Sequence, residues 1–380
     1  MKKTFLLIAV IFVISACNIK IKSNAVNAYE YLTPKENSKN IYKKTTDTKW
    51  INPFNFSHTD FGRLILVSID KHPKIKTVEL VVQNDNKGAF VVVYYQNGKV
   101  ETYPNLVLSI NKKYLRPNSD WTVMKEREFD YQFEKTEKGL KYKLSITIKD
   151  DTHIDISVKN YSVQTKQYSF LAAIGADLRE VKRFPLIYLR QAGFLPLEKT
   201  EISFKINSVV MKPTEVPIKV ENKSCYKTVY SFSPQAFFWN EEQDTVLNYL
   251  KSEKKNYQFK NPEFLTVTNN KRTEIKKIIY KIKNHSAKYN FMPFFPDIYS
   301  LKDELSLKGK FTIDVDEIEG VIGGIYQITK QKNEIEVIFK PKKCWQPMPG
   351  KDWVSSYIYK AKIKAINNHQ YSIKSKWIIN

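Results

Sequence analysis

The stretch "TVELVVQNDNKGAFVVVYYQNGKV", residues 77–100, contains two apolar runs rich in Val, Phe and Tyr, each closed by a turn cluster. Asn84-Asp85-Asn86-Lys87-Gly88 follows the first run and Gln96-Asn97-Gly98 the second. Short β-branched and aromatic runs bounded by Asn, Asp and Gly read as strands. Asn-Gly is the dipeptide best suited to the left-handed backbone of a tight hairpin. The same texture extends in both directions. Before it lies "RLILVSI" (63–69); after it come "EFDYQFEK" (128–135), "LKYKLSITIK" (140–149), "HIDISVK" (153–159) and "QYSFLAAI" (167–174), with turns at Lys138-Gly139 and Asp150-Asp151. Further on, "TEISFKINS", "VPIKVEN" and "CYKTVYSFS" lead to a second series that runs from "EFLTVTN" (263–269) to "QYSIKSKWI" (370–378). The expected class is all-β and antiparallel, as two packed β-sandwiches or two lipocalin-like up-and-down barrels, with one or two short helices.

The helices are expected at two places. Asn240 and Gln243 have capping-box spacing ahead of a Val246, Leu247 and Leu250 stripe. Asp177 and Glu180 do the same ahead of Pro185, so residues 178–184 are expected to turn Leu178, Val181 and Phe184 inward and the basic residues outward.

The N-terminus carries a different signal. Met1-Lys2-Lys3 precedes an apolar run from Thr4 to Ile14, too short to cross a bilayer core of about 30 Å. It closes as Ile14-Ser15-Ala16-Cys17, which resembles the lipobox of bacterial lipoproteins. The resemblance covers residues 1–17 only. It implies cleavage before Cys17, acylation of that cysteine with diacylglycerol and a fatty acid such as palmitate, and a location in the cell envelope, lipid-anchored to a membrane. The division that follows is a signal peptide over 1–16, a lipid-anchored tether over 17–49, one β domain over 50–235 and a second over 236–380. The last boundary is set by the size of a single core alone.

The chain has 62 Lys and Arg against 39 Asp and Glu, for a net charge of +23, yet only seven basic residues are arginine. Nucleic-acid readout favours the planar guanidinium, and an exported chain rarely meets nucleic acid, so that class is set aside. A basic surface does suit anionic glycans and lipid headgroups. Arg179, Arg183 and Arg190 cluster in "GADLREVKRFPLIYLR" (175–190) and are the candidate anion-binding residues, weighed against a solvated helix face. With Cys17 acylated, Cys225 and Cys344 remain, in no metal-ligand spacing, as either a disulfide or two buried thiols.

No catalytic motif stands out, and neither a metal nor a cofactor is expected. Glu241 and Glu242 beside Trp239 have the composition of a glycosidase pair but equally of a helix first turn. Asp150, Asp151, His153 and Asp155 read as a hairpin turn entering a strand, with His153 and Asp155 on one face as an electrostatic pair rather than as metal ligands. "NHSAKYNFMPFFPDIY" (284–299) places His285 and Asp297 around an aromatic loop, and "CWQPMPGKDW" (344–353) does so with Asp352. Trp239, Phe294, Phe295, Trp345 and Trp353 are therefore candidate ligand-mouth aromatics, or plugs for the end of a β core. Gly320, Gly323 and Gly324 mark a bulge or bend in a strand. Two functions remain open at this point: a binding lipoprotein for an envelope glycan, lipid or apolar small molecule, and an envelope carbohydrate-active enzyme whose carboxylates are assembled by the fold.

Overall fold

The structure is a computed structural model. It describes residues 35–43, 49–51, 53–83, 88–105, 121–137, 139–162, 168–172, 184–216, 219–220, 222–248, 250–251, 256–258, 264–269, 273–282, 285–315, 321–344, 357–367 and 370–379. Among these residues there is no α-helix, only three short 3₁₀ turns at Lys39–Ile41, Lys149–Asp151 and Leu197–Lys199. The all-β reading holds, in the form of packed open sheets; no barrel closes.

Three large sheets make the body. An eight-stranded sheet has the order Tyr168–Ala172, Phe184–Pro196, Cys225–Trp239, Phe56–Ser68, Ile75–Gln83, Ala89–Tyr95, Val100–Pro104, Trp121–Val123, antiparallel except for its last pair. A five-stranded antiparallel sheet has the order Val209–Met211, Thr200–Ile206, His153–Asn160, Gly139–Thr147, Asp130–Thr136. The expected turns appear where the two-residue reading put them. Gly98 turns Ala89–Tyr95 into Val100–Pro104 at φ 86°, and Asp150 and Asp151 turn the chain at φ 60° and 52° into His153–Asn160.

The five-stranded sheet packs on one end of the eight-stranded sheet. Ile65, Val78, Leu80, Val91 and Val93 face Tyr142, Leu144, Ile154, Ile156 and Phe204, all nearly inaccessible. Each fully buried Val, Ile or Leu side chain stabilises this layer by about 1.5–3 kcal/mol. The opposite face of the same strands is also buried, at Val81, Phe90, Val92, Tyr94 and Val100. Burial on both faces explains why "AFVVVYY" is continuously apolar and does not alternate.

The ten-stranded sheet is a meander. From Asn256–Gln258 it runs through Phe264–Thr268, Glu274–Ile282, His285–Pro296, Leu305–Val315, Val321–Gln331, Glu334–Cys344 and Tyr357–Ala365 to Gln370–Ile379, and Asp244–Asn248 joins beyond the last strand. Its edge strands, ending at Asn248 and starting at Asn256, are eight residues apart in sequence. Eight residues reach at most about 28 Å, whereas the edges of ten flat strands would stand about 43 Å apart. The sheet must therefore curl, and its concave side is filled with rings. Trp239 lies 5.1 Å from Phe311, 5.2 Å from Phe339 and 5.8 Å from Trp377, centroid to centroid. Glycines make room for them: a Cβ at Gly309 would overlap the Tyr326 ring, and one at Gly324 the Phe311 ring and the Lys340 carbonyl. The pairing register shifts between Gly323 and Gly324, which is the bulge expected there.

One expectation is corrected. The helix expected from Asn240 is instead the strand Asp244–Asn248, paired with Gln370–Ile379 through Val246↔Ser372 and Leu247↔Tyr371. So short a helix is marginal on its own, and an open sheet edge supplies hydrogen bonds that it cannot match. The helix expected over 178–184 lies outside the described residues except for Phe184, which begins a strand. Within the segment expected as a tether, residues 35–43 hydrogen-bond to the body and Lys49–Trp50 pairs with Leu250–Lys251. The boundary drawn between 235 and 236 falls inside the strand Cys225–Trp239, and one core cluster takes Tyr188 and Phe237 together with Tyr289 and Phe339.

Candidate functional site

Among the described residues no other layer covers the outer face of the five-stranded sheet, and its side chains follow from strand parity. Residues at odd positions of Gly139–Thr147 and His153–Asn160 point away from the core, as do the even positions of Asp130–Thr136. Register aligns them in rows. One row runs Asp130, Ser145, Asp155, Lys205, and the next runs Gln132, Lys143, Ser157, Ser203. Serines in the middle of both rows are shorter than the residues around them, so an open groove of about 440 Å³ forms above them. Asp130, Gln132, Lys143, Asp155 and Lys205 stand at its walls.

At one end of this groove the turn at Asp150 and Asp151 brings His153 directly opposite Thr147. His153 Nε2 lies 3.1 Å from Asp155 Oδ2, and Nδ1 lies 3.0 Å from Thr147 Oγ1. The His153–Asp155 pairing is the one the sequence suggested. The carboxylate requires a proton on Nε2, so in the neutral ring Nδ1 accepts from the Thr147 hydroxyl. Ser145 Oγ also sits 3.4 Å from Nε2. The turn is pinned from the side, because Asn207 Oδ1 accepts the His153 backbone N–H at 2.7 Å.

A hydroxyl, an imidazole and a carboxylate in line have the order of a nucleophile and its base. The surroundings argue for binding. On a sheet face the backbone N–H groups are committed to the ladder, so none is aimed outward to stabilise an oxyanion. His153 and Asp155 are 44% and 45% exposed, and no wall excludes water from them. Asp130 and Asp155 stand two strands apart, roughly 10 Å between backbones, across Ser145. The groove presents carboxylate acceptors, ammonium donors and hydroxyls at strand spacing, which is a surface for a polyhydroxylated ligand.

The other sequence candidates are elsewhere. Arg190 is buried within the eight-stranded sheet, 7% exposed, and its Nε donates to Gln235 Oε1 at 3.1 Å. It is therefore not part of an exposed anion patch; Arg179 and Arg183 lie outside the described residues. Trp239, Phe294 and Phe295 are core residues, so they plug the curled sheet and line no mouth, while Trp345, Trp353 and Asp352 lie outside the described residues. Glu241 and Glu242 sit in the link from Trp239 to Asp244, where the Glu241 N–H donates to Asn55 Oδ1 at 2.7 Å. Cys225 is a buried thiol and not half of a disulfide. Among the described residues no group of three His, Cys, Asp or Glu side chains is placed to hold a metal ion.

Two carboxyl groups the sequence did not single out as a pair, Glu274 and Asp297, are buried at the rim of the ten-stranded sheet. Glu274 Oε1 accepts the Asn37 N–H at 3.0 Å, Asn37 Nδ2 at 2.9 Å and the Tyr42 hydroxyl at 2.7 Å. Asn37 Nδ2 also reaches the Phe294 carbonyl at 2.7 Å. Asp297 accepts the Ser300 hydroxyl and the Tyr299 N–H, and burial pushes its carboxyl up to about 7. Both are 1% exposed, so no substrate reaches them. Glu274 holds the segment 35–43 on the body directly, and Asp297 fixes the turn at Ser300, whose carbonyl accepts the Lys43 N–H, while the Lys302 N–H donates to the Ile41 carbonyl. What hides this cluster in the sequence is the distance along the chain between its members. No protein-family model, no curated protein and no solved structure matches this chain.

Proposed function

We propose that this chain is a lipid-anchored binding protein of a bacterial envelope, and that the groove on the five-stranded sheet holds an envelope glycan. The observation that carries the reading is the groove itself: a serine floor flanked by Asp130, Asp155, Lys143 and Lys205, open along the strands. Sugar hydroxyls both donate and accept, and this surface offers both kinds of partner within one interstrand spacing. The anchor rests on the Cys17 signal. In a bacterial host the protein should fractionate with membranes, and Cys17→Ser should release it into the soluble fraction.

The binding test uses oligosaccharides released from envelope glycans, titrated against the full chain by calorimetry and NMR. Ser157→Trp places an indole in the floor while pointing away from the core, so it should abolish binding and change stability by less than about 1 kcal/mol. Retained binding in that variant would move the site off this face. A hydrolytic reading has one observation in its favour, the Thr147–His153–Asp155 alignment. It requires product release from the same oligosaccharides that is lost in Thr147→Val.

A further inference from the structure

The convex face of the ten-stranded sheet carries a second feature. One row across its strands reads Lys376, Lys360, Ile338, Gln327, Lys308. The row beside it holds Lys340, Ile325 and Lys310 in direct register. Neither row contains a carboxylate. On the other side, Lys374 and Lys362 lie opposite each other and are neutralised, Lys374 by Asp244 at 3.3 Å and Lys362 by Glu334 at 3.4 Å. Lys364 shares Glu334 at 2.9 Å, and Glu336 lies next to Lys362 in the register. These acidic groups stand at one margin of the face, and Asp314, opposite Lys288 in the register, stands at the other. Among the described residues Lys308, Lys310, Lys340, Lys360 and Lys376 make no ion pair.

Like charges placed directly opposite in a sheet destabilise it, yet Lys360 faces Lys376 with nothing between them. Between the lysines stand apolar side chains, Ile325 at 37% exposure and the half-buried Ile338. A plane that is both anionic and apolar just below its surface satisfies both groups, and a leaflet with anionic headgroups is such a plane.

We infer that this lysine and isoleucine face is a docking surface for an anionic lipid membrane, which lays the anchored body flat on the leaflet. The choice of a membrane as occupant leans on the lipid-anchor reading; the face itself is independent of the glycan groove. The patch spans five strands from Leu305–Val315 to Gln370–Ile379, about 19 Å across. Docking there leaves the five-stranded sheet, which belongs to a different layer, to meet its ligand.

The test uses the full chain with Cys17→Ser, so that no acyl chain contributes, and vesicles of phosphatidylcholine alone or with phosphatidylglycerol. Binding should require phosphatidylglycerol and weaken with salt, since exposed charges are screened over about 10 Å at 0.1 M. Each lysine near an anionic leaflet contributes about 1 kcal/mol, or about fivefold, so Lys360→Gln with Lys376→Gln should weaken vesicle binding about 25-fold. The same pair should keep or raise the melting temperature, because it removes a like-charge contact, and should leave oligosaccharide binding in the groove unchanged. Lys141→Gln with Lys159→Gln, an equal loss of charge on the other sheet, should leave vesicle binding nearly intact. Equal losses from the two pairs would overturn the inference, as would absence of binding to the anionic vesicles. Tighter binding to a soluble polyanionic glycan, lost in Lys360→Gln with Lys376→Gln, would assign the face to that glycan instead. Loss of membrane fractionation in the acylated protein would strike the anchor, and loss of oligosaccharide binding the groove, without touching this result.

Discussion

Replacing Glu79 with Gln should make the protein more stable at pH 8 and no more stable at pH 4.5. Glu79 lies on the strand Ile75–Gln83, 9% exposed, on the same apolar face as Val81, Val92 and Tyr94. The Tyr94 hydroxyl donates to its Oε2 at 2.5 Å. Burial among these side chains outweighs that hydrogen bond and pushes the carboxyl from 4.5 up to about 7. The folded state therefore holds the proton more tightly than the unfolded state does. Stability from this group is fully present below about 4.5 and is lost as pH rises through about 7. A shift of this size corresponds to about 3 kcal/mol at 1.36 kcal/mol per unit, an order-of-magnitude figure. Gln is close in shape to the protonated acid and keeps an oxygen for Tyr94, so it should remove the loss without opening a cavity. Urea unfolding of both proteins at pH 4.5 and pH 8 gives the difference directly. Wild type should fall further than Glu79→Gln between the two pH values, by up to about 3 kcal/mol. Asp297, raised in the same direction, should leave a residual slope of the same sign in both. A variant less stable than wild type at pH 8 would mean that Glu79 is ionised and held by its hydrogen bond, and the argument from burial would be wrong.

Gly309→Ala should cost about 1–3 kcal/mol, because the new Cβ drives into the Tyr326 ring. That ring cannot swing away freely, since its hydroxyl donates to the Pro293 carbonyl at 2.6 Å, and a thermal melt reads the loss. Asn37→Ala removes one donor from the buried Glu274 carboxylate and one from the Phe294 carbonyl, so it should cost about 1–3 kcal/mol and free the segment 35–43 first. Only the side-chain donors are lost, while the Asn37 N–H remains. Hydrogen exchange should rise at 35–43 and not in the sheets, and a uniform rise would show that the segment is not a separate unit.

Strand texture, turn chemistry and charge are local properties, and they are legible. The Asn97-Gly98 turn, the Asp150-Asp151 turn and the Gly323-Gly324 bulge each follow from what those residues allow their own backbone to do. The His153–Asp155 pair is local as well, since two residues apart on a strand share a face. Asn240 to Leu250 failed for the opposite reason. Its helical spacing was real, but Asp244–Asn248 borders a sheet edge that no local pattern announces. Trp239, Phe294 and Phe295 likewise could have lined a mouth or filled a core, and the curl of the ten-stranded sheet made them core.

The sequence by itself determined that the chain is built of antiparallel strands and that it is strongly basic. Tertiary structure alone decided which side chains meet. Asp130, Ser145, Asp155 and Lys205 come from four strands and align only once the register is set. Glu274 gathers Asn37 and Tyr42 from more than two hundred residues away. Lys360 meets Lys376 because the hairpin between them fixes their pairing. A strand exposes its own two faces to inspection in sequence, but the neighbours along a row are chosen by hydrogen-bond register across the sheet, and register is a property of the pair and not of either strand.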